Sequence, residues 1–269
     1  MRIHRLTTLF ALFLFFYVGT LPSQAKDEEK TVHKVFRIKT IVIDAGHGGR
    51  DFGAKGHSSY EKNITLQVAL KLGKAIQREL PGVQVIYTRS SDVFVPLYER
   101  IGLANQKKAD LFISIHCNST PSKRYGNTGR GTETFVSGSG RLGEQEAAMR
   151  ENASLLLEEN YQENYDGFDP NDPESYIILS LMKSTYRNQS IKLASFIQDQ
   201  FVKAGRENRG VKEQSLAVLA RAGMPAVLTE IGFISSPTEE RYLNSAGGQA
   251  EIVRNLLDAV KAYKKQAEN

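Results

Sequence analysis

Cysteine is nearly absent from this 269-residue chain, in which Cys117 is the only one. A single cysteine excludes an intrachain disulfide, even if the protein is exported. No basic run interleaves with aromatic residues, so the sequence gives no indication of nucleic-acid binding. Internal repeats and long apolar heptads are also missing, and without heptads a coiled-coil oligomer is not expected. We therefore expect a monomer that does not bind nucleic acid.

Long apolar runs are scarce too, and the longest lies near the beginning of the chain. Residues 9–18 are apolar, follow the basic Arg2 and Arg5, and precede small residues at 23–25. An apolar core of about ten residues in that setting is typical of a secretory signal peptide, which we place at residues 1–25. The alternative is an uncleaved membrane anchor. No other stretch is apolar enough to span a bilayer, so we expect an exported protein, periplasmic or secreted.

Charge of one sign is only slightly in excess. The formal net charge is +5, and removal of Arg2 and Arg5 with the signal peptide would lower it by two, to +3. Such a weak positive bias suits an anionic polymer as partner. No cysteine lies near the predicted cleavage site, which excludes acylation there as a lipoprotein.

Apolar runs of strand length alternate with amphipathic stretches through most of the chain, which favours an α/β fold. Strands are predicted at residues 40–43, 83–88, 111–115, 132–136, 214–221 and 225–230. Helices are predicted from Glu61 to the Pro81-Gly82 pair, from Pro96, over residues 177–203, from Pro237, and over residues 249–263.

Three predicted strands lead to side chains that bind metals. His47 follows the first strand among glycines, His116 follows the third, and Glu230 ends the last. Neighbouring strands lie about 4.8 Å apart, so these side chains can converge, with Glu61 at the start of the first helix on the same rim. Two histidines and a carboxylate are a common zinc set for hydrolysis, and a further carboxylate can act as general base.

Each of these residues also has a structural interpretation. His47 can be a bystander in a tight strand-to-loop turn, and His116 a hydrogen-bonded core histidine. Glu61 can serve only to complement a helix N-terminus, where acidic residues are favoured. Glu230 can be paired with a neighbouring cation such as Arg241. The repeated placement at strand ends nevertheless favours a metal site.

Five stretches of the sequence resemble motifs of one enzyme family. They are Ile43-Asp-Ala-Gly-His-Gly-Gly49, Glu61-Lys62, Thr88-Arg89, Ser114-Ile-His-Cys-Asn118 and Leu228-Thr-Glu-Ile-Gly-Phe-Ile-Ser235. The chain resembles the zinc-dependent N-acetylmuramoyl-L-alanine amidases of the amidase-3 family over residues 39–265, which leaves residues 26–38 as a leader. The resemblance implies a single α/β domain with a mostly parallel, roughly six-stranded sheet, related to zinc carboxypeptidases.

The resemblance also implies roles for individual residues. His47, Glu61 and His116 would be the zinc ligands, and Glu230 the catalytic glutamate. The implied reaction is hydrolysis of the amide between N-acetylmuramic acid and L-alanine in peptidoglycan, during wall remodelling or daughter-cell separation. Cys117 stands where a small residue such as alanine is expected; it is either a thiolate near zinc or a small buried apolar residue.

Acidic residues are concentrated between residues 141 and 175, where ten carboxylates face two arginines. The first half of this acidic stretch is predicted to be helical, and residues 166–173 are predicted to form a loop. A solvated helix and a surface loop are the simplest interpretation. In cell-division members of the resembled family, an inserted helical segment covers the zinc cleft until an activator protein displaces it. We therefore expect Glu151, Glu158 or Glu159 to plug the site.

Two other functions share these features. A zinc carboxypeptidase or another peptide amidase would use the same metal chemistry, and a non-catalytic peptidoglycan-binding module would keep only the fold. The presence of Glu230 beside a full ligand set argues against a mere binder. Arg89, Arg100 and Asn105 either orient substrate or are structural.

Overall fold

The computed structural model describes residues 37–120, 129–138, 145–165, 167, 169, 172 and 185–269. The predicted signal peptide, most of the predicted leader, and most of the loop predicted at residues 166–173 therefore lie outside the described residues. No helix among the described residues is long and apolar enough to cross a membrane.

The described residues form an α/β domain built on one six-stranded sheet. The strands are β1 (Thr40–Ala45), β2 (Gln84–Tyr87), β3 (Leu111–Asn118), β4 (Thr132–Ser137), β5 (Asn208–Gln214) and β6 (Ala226–Phe233). Their order across the sheet is β2-β1-β3-β6-β4-β5. β2, β1, β3 and β6 run parallel, whereas β4 is antiparallel to β6 and parallel to β5. The predicted six-stranded, mostly parallel sheet is confirmed.

Helices cover both faces of this sheet. They are α1 (Glu61–Glu79), α2 (Leu97–Gln106), α3 (Glu146–Asn152), α4 (Tyr161–Asn164), α5 (Arg187–Lys203), α6 (Pro237–Asn244) and α7 (Ala246–Ala267), with 3₁₀ turns at Ala153–Leu157 and Ala217–Leu219. α1 forms because its apolar residues recur every four positions and make one stripe, which is fully buried at Ile64, Val68 and Leu72. Pro81 and Gly82 follow its end and cannot continue it.

Two apolar cores lie on the two faces of the sheet. The first core joins α1, α5 and α7 to alternate residues of the strands, such as Ile113. The second core contains the intervening strand residues, such as Phe112, with α2 and the turn at Ala217–Leu219. This alternation arises because successive strand residues point to opposite faces. Both faces are covered, so the parallel strands read as continuous apolar runs.

Strand register brings polar side chains together on the second face. His116 in β3 is level with Glu230 in β6, and Glu230 is level with Glu133 in β4. Residues that are level in adjacent strands project from the same face of a sheet. The carboxyl end of β3 and the middle of β6 therefore present His116, Glu230 and Glu133 in a row.

A segment that contains α3, the 3₁₀ turn and α4 lies over this row, and we call residues 145–165 the covering segment. Leu155 and Tyr165 belong to the second apolar core. Asn152 donates to the carbonyl of Ser215 at 2.8 Å and accepts from the amide of Ala217 at 2.9 Å. The covering segment is thus packed into the domain and is not a solvated surface helix.

Three predicted elements differ in position from the structure. Residues 214–221 do not form a strand; the strand is Asn208–Gln214, and the apolar run after it turns into the 3₁₀ turn beneath the covering segment. In the described part of the stretch predicted as a helix over residues 177–203, Thr185 and Tyr186 form a turn and the helix begins at Arg187. Residues 177–184 lie outside the described residues. β6 also continues to Phe233, so Glu230 lies inside its strand and does not end it.

Candidate functional site

His47 lies just after β1 in a backbone conformation that few side chains adopt. Its φ is +61°, in the left-handed region. A Cβ atom at Gly46 would lie 2.5 Å from the His116 ring, so only glycine allows the two histidines to approach. Asp51 Oδ2 lies 2.9 Å from His47 Nδ1, which leaves Nε2 facing the site.

Glu61 is the first residue of α1 and is fixed from two sides. Its Oε2 accepts from the amide of Ala54 at 2.8 Å, and its Oε1 accepts from the amide of Cys117 at 2.8 Å. His116 lies within β3, near its carboxyl end, and not after the strand as predicted, so its position is set by the sheet. The start of α1 and the carboxyl end of β3 therefore bring a carboxylate and an imidazole together. Glu61 Oε1 lies 3.1 Å from His116 Nδ1.

The covering segment adds a fourth group, and His47, Glu61, His116 and Glu151 form what we call the histidine–glutamate cluster. Glu151 Oε2 lies 2.8 Å from His116 Nδ1 and 3.3 Å from His47 Nε2. His47 Nε2 also lies 3.1 Å from Glu61 Oε2. All four residues are buried, and one potential ligand atom of each lies within 4.8 Å of all the others.

The histidine–glutamate cluster fits a divalent cation. His47 Nε2 and Glu151 Oε2 are buried, and despite the close approaches just described neither is aligned for a hydrogen bond with a partner in the described part of the chain. Buried polar atoms without partners are costly, and coordination of a metal would satisfy both. Two imidazoles and two carboxylates are a donor set that zinc accepts, and the Asp51 contact to His47 is the outer-shell support usual for such sites.

The electrostatics of the cluster point the same way. Burial opposes protonation of His47, but Glu61, Asp51 and Glu151 outweigh it and hold its pKa well above the ordinary range. Burial likewise opposes protonation of His116, yet Glu151 and Glu61 raise its pKa to about 10. The buried carboxylates of the cluster thus favour positive charge between them, which either two imidazolium groups or a metal ion can supply. Binding of a metal ion would release the imidazole protons.

Glu230 is fully buried beside the cluster and has an unusual environment. Neither carboxylate oxygen has a hydrogen-bond partner among the described residues. Burial, followed by repulsion from Glu151 and Glu61, raises the pKa of Glu230 well above its ordinary value. Arg150 lies beside this carboxylate: its Nη2 is 3.9 Å from Glu230 Oε1 and donates to Asn118 Oδ1 at 2.8 Å. Such a carboxylate is poised to exchange a proton.

The structure separates the three glutamates expected to plug the site. Glu151 lies in the cluster. Glu158 accepts from the amide of Leu97 at the start of α2, at 2.6 Å. Glu159 is exposed.

The structure also decides between the alternatives that the sequence leaves open for Glu230 and Cys117. Arg150, and not Arg241, lies beside Glu230, since Arg241 contacts Thr238. Cys117 is buried in the first apolar core, and burial raises its pKa well above the ordinary value, which favours the thiol over the thiolate.

Sequence reasoning missed Arg150 and Asp51. Asp51 comes four residues after His47 in the same short loop, which is close enough for the two side chains to contact each other. Nothing in the sequence distinguishes Arg150, because its role depends on how the covering segment is docked. Asn105, whose role the sequence left open, only joins α2 to the loop at Arg221 and Gly223.

Comparison with known proteins gives a consistent result. The sequence profile described as N-acetylmuramoyl-L-alanine amidase (Amidase_3) matches residues 41–262. The amidase AmiC of Escherichia coli O6:H1 is 31% identical over 231 residues, which are 83% of this chain and 52% of AmiC. The chain therefore spans about half the length of that relative. AmiA of Escherichia coli K12 is 28% identical, over 84% of this chain and 76% of AmiA.

Solved structures extend the similarity to the fold. An N-acetylmuramoyl-L-alanine amidase from Clostridium difficile 630 superimposes with a TM-score of 0.62 at 27% identity, covering 85% of this chain and 97% of that one. The matched residues 41–262 contain His47, Glu61, His116 and Glu230. This chain therefore belongs to the Amidase_3 family of N-acetylmuramoyl-L-alanine amidases.

Proposed function

We propose that the protein is a zinc-dependent amidase that cleaves the bond between N-acetylmuramic acid and L-alanine in peptidoglycan. The observation that carries this proposal is the histidine–glutamate cluster with the partnerless Glu230 beside it. His47, Glu61 and His116 would hold the ion. Family membership supports the substrate class. Export to the periplasm or the medium, through a signal peptide at residues 1–25, is part of the same proposal.

The protein's own residues would divide the work of hydrolysis. Zinc, when bound, supplies Lewis acidity and lowers the pKa of a coordinated water to about 7. Glu230 would accept a proton from the attacking water at a carboxylate oxygen and deliver it to the leaving nitrogen. Its burial suits this role, because a raised pKa makes the carboxylate a better base. Asp51 would keep His47 oriented with Nε2 toward the ion.

The described conformation would be a self-inhibited one. Glu151 would add a fourth ligand from the covering segment, in the position that a water must occupy in a catalytic zinc site. Arg150, the preceding residue, lies beside Glu230 and binds Asn118. The covering segment thus blocks both the metal and the base. A partner protein that displaces it would activate the enzyme, which we expect to act otherwise as a monomer.

Digestion of purified peptidoglycan by the mature protein tests this function. We expect free stem peptides with L-alanine at their amino termini, identified by mass, and no release with a chelator present. Glu151→Ala and a deletion of residues 144–172 should release more than the parent. Single terminal amino acids as product would indicate a carboxypeptidase instead. No release from any zinc-loaded, folded form would indicate a binding module and contradict the proposal.

A further inference from the structure

Two buried arginines surround the backbone that carries His47. Arg89 follows β2 and Arg100 lies in α2; they are 3% and 1% exposed. Fully buried arginine is rare because its charge is costly to desolvate, so each must have a compensating set of contacts. Among the described residues, the only carboxylate that either contacts directly is Asp44, through Arg100. Their other partners among the described residues are mainly backbone carbonyls.

Arg100 reaches across from α2 to the end of β1. Its Nη1 donates to Asp44 Oδ1 at 2.9 Å and to the carbonyl of Ala45 at 2.8 Å. Its Nη2 donates to the carbonyl of His47 at 2.9 Å. Asp44 is itself held by Thr88 and Ser114, each at 2.6 Å, so the guanidinium is anchored to the sheet.

Arg89 approaches the same backbone from the other side. Its Nε donates to the carbonyl of Ala45 at 2.9 Å, and its Nη2 donates to the carbonyls of Gly46 and Lys62, both at 2.8 Å. Lys62 follows Glu61 in α1. Arg89 therefore ties the loop that bears His47 to the start of the helix that bears Glu61.

The three consecutive carbonyls of residues 45–47 thus all accept from guanidinium groups. This is the stretch in which the chain leaves β1 and enters the left-handed conformation at His47. Such a conformation persists only where the surrounding structure enforces it. The fork of each guanidinium supplies several donors in one plane, which a lysine ammonium cannot reproduce.

We infer that Arg100 and Arg89 are positioning residues that fix the His47 backbone relative to Glu61 and thereby set the zinc affinity of the site. Neither is a ligand. The inference rests on the metal site of the proposed function but not on the amide chemistry. Because it concerns geometry, it is tested by metal binding and needs no substrate.

The decisive variant is Arg100→Lys, which keeps the charge and removes the fork. We expect its zinc dissociation constant, measured by competition with a chromogenic chelator, to rise by roughly 10- to 100-fold, the usual effect of losing outer-shell support. Arg89→Lys should act in the same direction. With cobalt in place of zinc, the visible spectrum should change in shape, because the imidazole of His47 would be misplaced.

Gln198→Leu provides the matched control. Gln198 is buried in α5 and bonded to Thr132 and Thr134 on the other face of the sheet, so its loss should lower stability without moving His47. We expect it to bind zinc like the parent.

Parent-like zinc affinity and cobalt spectrum in a folded Arg100→Lys would overturn the inference. If both lysine variants fail to fold without metal, the arginines serve the whole fold, and the positioning role is equally rejected. A parent protein that binds no zinc would instead contradict the proposed function.

Discussion

A carboxylate with no hydrogen-bond partner is the most informative residue in this domain. Glu230 is held in β6, and both its oxygens lie free of partners within the described residues. A structural glutamate in this position would be neutralised by a bonded cation, but Arg150 approaches no closer than 3.9 Å. This environment supports the proton-transfer role proposed for Glu230.

Glu230→Gln is therefore expected to retain the shape and the metal while losing the base. Amide cleavage should fall by about 10²- to 10⁴-fold, the usual contribution of general base catalysis. Zinc stoichiometry, measured by metal analysis, and the far-ultraviolet circular dichroism spectrum should match the parent. Substantial remaining activity in a covering-segment deletion that carries Glu230→Gln would contradict this role.

The buried carboxyl group of Glu158 makes docking of the covering segment depend on pH. Burial raises its pKa to about 7, and the amide of Leu97 only partly offsets this. When the covering segment undocks, Glu158 returns to water and to an ordinary pKa near 4.5. The docked form therefore binds more protons between about pH 4.5 and 7, so its stability falls as pH rises through that window.

Glu158→Gln should remove that dependence. Hydrogen exchange of the amides in residues 146–157, corrected for intrinsic rates, should show the parent losing protection relative to the variant as pH rises from 4.5 to 7.5. At pH 4.5 the two should agree. Glu159→Gln makes the same change at an exposed position and should track the parent; a pH-independent difference at Glu158 would refute the assignment.

The residues of the site differ in how readily the sequence identifies them. Some owe their position to the strands and α1, whereas others owe it to docking of the covering segment. The sequence indicates His47, Glu61, His116 and Glu230 because each lies beside a strong apolar pattern: His47 follows β1, Glu61 opens α1, and His116 and Glu230 come directly after the apolar runs of β3 and β6. Glu151 could be named only among three candidates. Arg150 was not found at all, because no local pattern determines which side of a short acidic helix faces a cleft.

At the scale of elements, Leu155 is one of several residues that anchor the covering segment in the second apolar core, with Ala147, Ala148 and Tyr165. Leu155 is fully buried in the second apolar core, whereas its neighbour Leu156 is 48% exposed. Removing a buried leucine side chain costs about 2–5 kcal/mol, most of which would fall on docking of the covering segment.

Leu155→Ala should therefore raise basal amidase activity without touching the histidine–glutamate cluster. The measurement is the rate of stem-peptide release, with protease sensitivity of the covering segment as a second readout. Leu156→Ala changes the same chemistry on the exposed side and should leave the rate unchanged. Equal rates in the two variants would show that the covering segment is not the barrier.

The strand that the sequence misplaced also has a physical explanation. β5 lies at the edge of the sheet and is polar at most positions, so it lacks the continuous apolar run of the inner strands. The apolar residues 216–220, which favour the strand predicted at residues 214–221, instead form a buried turn beneath α2 and the covering segment. A short buried run does not reveal by itself whether it is a strand.

At the scale of the whole molecule, the proposed metal site connects distant parts of the chain. Its ligands come from the loop after β1, the start of α1, the end of β3 and the covering segment. A bound ion would therefore stabilise the fold, because the unfolded chain cannot assemble this set.

Zinc at about a thousand times its dissociation constant should stabilise the native state by about 4 kcal/mol, which for a domain of this size raises the melting temperature by roughly 10 °C. Calorimetry with and without a chelator measures the shift. His116→Ala should abolish it, while His57→Ala, at an exposed histidine, should retain it. If zinc leaves the melting temperature of the parent unchanged, the proposed metal site is contradicted.

The overall topology could be predicted because alternating strands and helices have few arrangements. The right order of α1, β2, α2 and β3 followed from apolar periodicity alone. The reversal of β4 and β5 could not, because nothing in Thr132–Ser137 encodes its direction relative to β6.

The covering segment is joined to β4 at one end and leads to α5 at the other, so displacement does not release it. Its effective concentration at the cleft stays near the millimolar range typical of short tethers. On the proposed function, any activator would have to compete continuously with this tethered segment, and the active state would last only while the activator is bound. Hydrolysis would stop when the partner leaves, without a second regulator, whereas a proteolytic cut within the covering segment would make activation permanent.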